Sequence, residues 1–262
     1  MTLGPVAKWL LRAGTALTLV FVYTPIIVIA LYAFNESRIQ AWPIKGWTLE
    51  WFDRALHNPG VRDALMLSVK AALGATLLAL VLGTLASLAV ARYRFFGRET
   101  ISFLVILPIA LPGIVTGMAL NATFNTAGVT LGLVTIVVGH ATFCIVVVYN
   151  NAVARLRRTS QHLEEASADL GADTWQTFRY VTFPQLRSAL LAGALLAFAL
   201  SFDEVIVTTF TAGAENTLPI WILGNLRLGQ QLPQVNVVVF FVIVMTVLPV
   251  TIAQRLTRCR QH

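Results

Sequence analysis

The stretch EEASADLGADTWQTFRYVTFPQ, residues 164–185, is a polar, Gly- and Pro-punctuated passage set between two long apolar runs. Leu163, Ala166, Ser167 and Leu170 fall at i, i+3, i+4 and i+7 and form one small, weakly apolar helical face. Glu164, Glu165 and Asp169 lie mostly off that face. Gly171 stops the helix, as a residue free to take positive φ at the C′ position does. Asp173 and Gln176 then have the N-cap and N3 spacing of a capping-box variant and start a second helix. Its apolar members, Trp175, Phe178 and Val181, recur every third residue, and Pro184 ends it. The passage reads as helix, glycine turn, helix, proline stop. Such an element offers one face to its own bundle and another to something outside. The bland alternative is a solvated connector that happens to be helical, but a short flexible link would join the flanking runs more simply.

Those flanking runs set the fold class. The chain of 262 residues is 57% hydrophobic and only 12% charged, with a mean hydropathy of +0.75. A soluble domain usually carries about 25% charged residues. Half that amount is too little to solvate a globular exterior, so the chain is read as an integral membrane protein. About 20 apolar residues cross a bilayer core. Six such runs occur, near Leu10–Phe34, Ala64–Ala91, Ile101–Phe124, Leu131–Val153, Ser188–Thr211 and Val235–Ala253. They are too long for barrel strands and lack strand alternation. An all-α bundle of six transmembrane helices follows, because helices and closed barrels alone satisfy the backbone in lipid. The whole chain, 1–262, is expected to be one transmembrane domain with a loop at about 154–187.

Orientation follows from the Lys and Arg count on each side. One side collects thirteen: Lys8, Arg12, Arg92, Arg94, Arg98, Arg155, Arg157, Arg158, Arg179, Arg187, Arg255, Arg258 and Arg260. The other has Arg38, Lys45, Arg54, Arg62 and Arg227, with Lys70 just inside the second run. Both termini and the 154–187 loop are therefore expected in the cytoplasm. The net charge of +7 reflects this asymmetry and gives no reason to expect nucleic acid. The first run exceeds the usual 7–15-residue signal core and has no convincing cleavage site after it, so it is expected to be a retained helix. Cys144 and Cys259 have neither disulfide nor metal-ligand spacing.

Two features inside the runs bear on function. In LPIALPG, Pro108 and Pro112 each remove a backbone donor and crowd the carbonyl four residues earlier, so the third span is expected to kink or break. In the fifth, Ser201-Phe202-Asp203-Glu204 places two carboxylates in the outer half of the membrane. Asp203 lies roughly 22 Å along a helix counted from Ser188 at ~1.5 Å per residue. Each buried carboxylate costs about 2.5–3.5 kcal/mol on insertion scales, and intramembrane charge marks substrate pathways. Asp203, and after it Glu204, are the candidates for a negative element that replaces lost hydration around a cation, with Thr208 continuing the line outward. Interfacial placement without a role is the alternative. His140, alone in the fourth run, reads as a hydrogen-bonded interhelical residue.

The loop also carries a resemblance. Glu165-Ala166-Ser167, three residues, Gly171, nine residues, then Val181-Thr182-Phe183-Pro184 resembles the EAA loop of ABC importer permeases. The pattern there is E-A-A, three residues, G, nine residues, I-x-L-P. Ser replaces Ala, Val replaces Ile and Phe replaces Leu, all keeping size or apolarity. LPIALPGIVTG, GHATFCIVVVYNNAVARLRR and ALSFDEVIVTTFTAG extend the likeness over nearly the whole chain, to the second permease subunit of spermidine/putrescine-type importers.

The resemblance implies a type I (MetI-like) permease bundle in a bacterial inner membrane. It makes Glu165, Ala166, Ser167, Gly171, Val181 and Pro184 the loop that couples to an ATPase. It implies four kinds of partner: a second homologous permease, two ATP-binding cassette subunits holding ATP-Mg, an extracytoplasmic substrate-binding protein, and the bilayer. The chain has no G-x-x-x-x-G-K-[ST] phosphate loop, and its lysines are Lys8, Lys45 and Lys70. It is therefore expected to be a transport subunit without a cofactor or an enzymatic site of its own, moving a polyamine or related small amine. The alternative is a secondary transporter driven by an ion gradient through Asp203 and Glu204, against which stands the lack of a visible internal repeat.

Overall fold

The structure, a computed structural model, describes residues 4–258, with side chains described through Thr246. In chain order the helices begin with α1 (Pro5–Ala33), α2 (Glu50–His57), α3 (Pro59–Arg92), α4 (Arg98–Ala110), α5 (Gly113–Thr126) and α6 (Leu133–Leu156). They continue with α7 (His162–Asp169), α8 (Thr174–Thr177), a π-helical turn (Phe178–Thr182), α9 (Phe183–Phe202), α10 (Ile206–Thr211), α11 (Leu218–Leu228) and α12 (Leu232–Arg258). Among the described residues no strand forms, and one isolated bridge pairs Asn35 with Trp47.

By length and composition α1, α3, α6 and the continuous stretch Thr174–Phe202 are each apolar enough to span a bilayer core. The expected third span is present as a bent pair: α4 and α5 meet at 104°. Leu111, before Pro112, is extended (φ −82°, ψ 145°), as the residue preceding a proline prefers. The LPIALPG prolines thus break this span rather than merely kinking it. The sixth expected span falls on α12, whose described apolar part is Leu232–Thr246. Cys259 and Arg260 lie outside the described residues.

The chain groups into two compact units. One comprises residues up to Arg62 together with those from Ile222 onward. Within it α12 packs on α1 and α2, and Phe34, Phe52, Phe240 and Phe241 form an aromatic cluster with ring centroids 4.9–6.3 Å apart. Trp51 donates its indole N–H to the Asn35 carbonyl at 2.9 Å.

The second unit, Asp63–Trp221, holds the loop and the carboxylates. Its axis is α6, which packs most extensively on α9 and also on α4 and α10. Small residues let the backbones approach, the usual device where lipid gives no hydrophobic drive between helices. A Cβ on Gly83 would lie 3.0 Å from the Ile145 carbonyl, so α3 meets α6 through bare backbone there. Ala75 and Ala79 of α3, Phe143, Cys144 and Val148 of α6, Ala197 of α9 and Val207 of α10 form one buried cluster. Polar links run across the same contacts: Ser102 with Tyr149 at 2.8 Å, and Thr135 Oγ1 donating to the Thr211 carbonyl at 2.7 Å.

Candidate functional site

The loop is built largely as its sequence predicts. Helix α7 ends in a Schellman turn: Gly171 takes φ +84°, its N–H bonds the Ala168 carbonyl at 2.9 Å, and the Ala172 N–H reaches back to Ser167 O at 3.1 Å. No atom lies within 4 Å of a Cβ built on Gly171, so backbone conformation alone demands glycine there. The capping box is complete, with Gln176 N–H donating to Asp173 Oδ1 at 2.7 Å and Asp173 N–H to Gln176 Oε1 at 3.0 Å. Ser167 and Thr177 share a hydroxyl bond of 3.1 Å that fastens α7 to α8.

Pro184 differs from expectation. It ends no helix; it is the second residue of α9, and the helix runs unbroken from Thr174 to Phe202. The preceding π-helical turn explains how. Proline lacks an N–H and its ring crowds the carbonyl four residues back. Widening the turn, with Phe183 N–H bonded to Phe178 O five residues earlier, moves that carbonyl aside.

The loop's faces are sharply different. Leu163, Ala166, Leu170 and Trp175 are exposed, Leu170 to 90% and Trp175 to 67%. Glu165 is exposed and pairs with His162 at 3.0 Å, while Val181 is half-buried in the π turn. Glu164, which the motif does not include, faces inward. Its Oε1 accepts from Arg92 at 3.1 Å (Nε) and 2.9 Å (Nη2), and from Thr182 Oγ1 at 3.0 Å. Hydrogen bonds to a charged group contribute about 1.5–3 kcal/mol, more than an exposed ion pair does. Nothing local in the sequence flags this bond, because Arg92 and Glu164 are 72 positions apart.

The carboxylates occupy a second, unexpected interruption. Helix α9 stops at Phe202, and α10 starts at Ile206, so the expected fifth span is not continuous through them. Asp203 is the C-cap of α9 and is exposed. Glu204 folds back as a cap, its Oε1 accepting the Val207 N–H at 2.9 Å. The two carboxylates therefore differ in engagement, Asp203 exposed and Glu204 committed to backbone.

His140 holds this break together. Its Nδ1 lies 2.7 Å from Ser201 Oγ on α9, and its Nε2 lies 2.8 Å from Thr208 Oγ1 on α10. The Thr208 hydroxyl proton goes to the Glu204 carbonyl at 2.7 Å, so Nε2–H must donate to Thr208 and Nδ1 must accept from Ser201. A neutral ring in that tautomer satisfies every member. His140 is thus the hydrogen-bonded interhelical residue its sequence suggests. Thr208 is fully buried in this network and presents no surface.

The broken third and fifth spans adjoin. A Cβ on Gly113, the first residue of α5, would sit 3.7 Å from Ile206 Cγ2, the first residue of α10. Asn121 Nδ2 donates to the Phe210 carbonyl at 2.6 Å farther along the pair. Irregular backbone at membrane depth is tolerated where protein or a water-filled cavity surrounds it. One helix joins the two candidate regions: α9 has 20 residues, about 30 Å of rise, with Thr182 before it and Asp203 after it.

Comparison with known proteins places this architecture. The sequence model of a family described as "Binding-protein-dependent transport system inner membrane component" matches residues 75–259. The chain is 32% identical over 225 residues to the putrescine transport system permease protein PotI of Escherichia coli K12, covering 82% of this chain and 79% of that one. It is 32% identical over 244 residues to the spermidine/putrescine transport system permease protein PotC of Haemophilus influenzae, covering 92% and 94%. In fold it resembles a chain of a bacterial ABC transporter involved in importing the polysaccharide alginate, with a TM-score of 0.70 at 17% identity and 98% of both chains covered. The helical architecture, the apolar spans and the matched sequence agree: this chain belongs to the inner membrane components of binding-protein-dependent transport systems, the permease subunits of ABC importers.

Proposed function

We propose that the chain forms half of the translocation path of an ATP-driven importer for putrescine, spermidine or a related small amine. The observation that carries this reading is Asp203: an exposed carboxylate at a helix break between two apolar segments, beside a second broken span. An ammonium group stripped of water regains part of its solvation from such a carboxylate. Glu204, engaged in capping, shapes the break and contributes charge nearby. Thr208 takes its part in the path through His140, by fixing α10 rather than by touching solute. The polyamine relatives support the substrate class.

In this reading energy arrives from outside the chain. Two ATP-binding cassette subunits bind ATP-Mg and dock on the exposed face of α7 and α8, and Glu165, Ala166, Ser167, Gly171, Val181 and Pro184 shape that docking element. Both termini share its side of the membrane. A second homologous permease completes the path, and an extracytoplasmic binding protein delivers the solute. Helix α9 then serves as a rod between loop and break. Membership in a binding-protein-dependent family leaves no observation that favours an ion-gradient mechanism.

Asp203→Asn tests the path. In proteoliposomes holding the whole importer, the variant is expected to lower amine uptake about tenfold or more, the scale of one lost charged interaction. ATPase association is expected to stay intact. Uptake equal to the parent's at every solute concentration overturns the assignment of Asp203.

A further inference from the structure

The loop helix α7 is held to its own subunit by surprisingly little. Its start follows a short connection after α6, and its end is the Gly171 turn, so both ends are backbone hinges. Beside it lies a half-open groove of about 280 Å³ lined by Leu88, Arg92, Tyr93, Glu164, Thr177 and Phe178 among others, so close apolar packing does not fix the helix on that side. Across that gap the Ser167–Thr177 bond reaches only α8, the next piece of the same loop. Among the described residues, one α7 side chain forms hydrogen bonds beyond the loop's own helices. Glu164 Oε1 gathers Arg92, the last residue of α3, and Thr182, the last residue of the π turn that leads into α9. The other loop carboxylates described are engaged locally or exposed: Glu165 with His162, Asp173 in its cap, Asp169 in solvent.

We infer that Glu164 is the positioning residue of the coupling loop, tying α7 to α3 and to α9 so that a displacement of the loop is delivered to both spans at once. This rests on the reading of the loop as an ATPase docking element. The physical argument is one of stiffness. A force on the exposed face of α7 tends to swing that helix about Gly171, and a helix swinging freely beside a groove transmits nothing. A three-way, charge-assisted junction with both charged partners mostly out of solvent (12% and 23% exposed) resists that swing. It also joins the end of α3 to the turn that leads into α9, the helix that ends at Asp203. Side chains in this role touch neither nucleotide nor solute.

The test separates a mechanical tie from a folding staple. The full importer, with permease pair, ATPase subunits and binding protein, is placed in proteoliposomes, and ATP hydrolysis and putrescine uptake are read from the same vesicles. Glu164→Gln and Arg92→Gln are expected to keep the ATPase subunits and hydrolyse ATP within about twofold of the parent, while uptake per ATP falls about tenfold, the size of a lost charged hydrogen bond. The exchange Arg92→Glu with Glu164→Arg is expected to restore most of that loss. Unchanged uptake per ATP in Glu164→Gln, with Gly171→Val inactive, overturns the inference and leaves the docking reading standing. Loss of the ATPase subunits in both single variants, unrelieved by the exchange, also overturns it and makes the junction a staple. Unimpaired uptake in Gly171→Val overturns the docking reading, and this inference with it.

Discussion

The turn at Gly171 and the break at Asp203–Val205 both interrupt helix, and they satisfy the freed backbone by opposite means. At the turn every bond is short-range: the Schellman pair spans residues 167–172 and the capping box spans 173–176. At the break the decisive partner comes from elsewhere, as His140 on α6 reaches Ser201 and Thr208 across 61 and 68 positions. The turn is exposed, where solvent replaces a missed bond; His140, Ser201 and Thr208 at the break are buried, where it does not. Local chemistry suffices for the first, and a buried polar network is needed for the second.

The largest effect is expected at His140. His140→Ala leaves the Ser201 hydroxyl and the acceptor side of Thr208 without their buried partner and opens a cavity beside Phe143. A destabilisation of about 3 kcal/mol follows from unsatisfied buried groups and lost packing together. Thermal unfolding of the detergent-purified complex checks it, with His140→Gln as the companion variant that keeps two of the polar contacts within reach. If both variants melt with the parent, the break is held by something other than this ring.

Gly171→Val comes next and sharpens the other side of the comparison. The site is open, so no clash arises, but a β-branched residue at φ +84° is strained by roughly 1–2 kcal/mol. The strain is relieved by unwinding the end of α7, which reorients the exposed Leu163–Leu170 face. Coupled uptake is expected to be lost while the protein still accumulates in the membrane, as read by immunoblot of membrane fractions beside a transport assay. Gly171→Ala should behave much like Gly171→Val, since φ and not volume sets the penalty.

The same contrast governs what was legible in the sequence. Gly171, the Asp173–Gln176 box and the Pro112 break follow from residue types a few positions apart, and each stands where those residues put it. The break after Phe202 carries no Gly or Pro, so a run of apolar residues around Asp203 reads as one helix. The halves come apart there because Glu204 caps α10 and His140 bridges the gap, and neither partner is marked by spacing. Pro184 shows the reverse failure: a local rule says stop, and a π turn lets the helix continue. Glu164 was equally hidden, because helical periodicity places it off the loop's apolar face without saying that Arg92 waits there.

The smallest effect is expected at Asp173, and it tests whether the turn is as local as it looks. Asp173→Ala removes the side-chain acceptor for Gln176 N–H and should cost about 1 kcal/mol, the usual worth of an N-cap. Because Trp175 and Thr174 lie exposed around it, water replaces the lost bond and no distant contact changes. The expected readout is faster amide exchange confined to about residues 173–177, with exchange in α6 and α9 unaltered. If protection also falls at Ser201 in α9 or Thr208 in α10, some 30 residues away in sequence, the loop and the break are one cooperative unit. The comparison between them would then describe two ends of a single device, with α9 carrying stability as well as motion from one to the other.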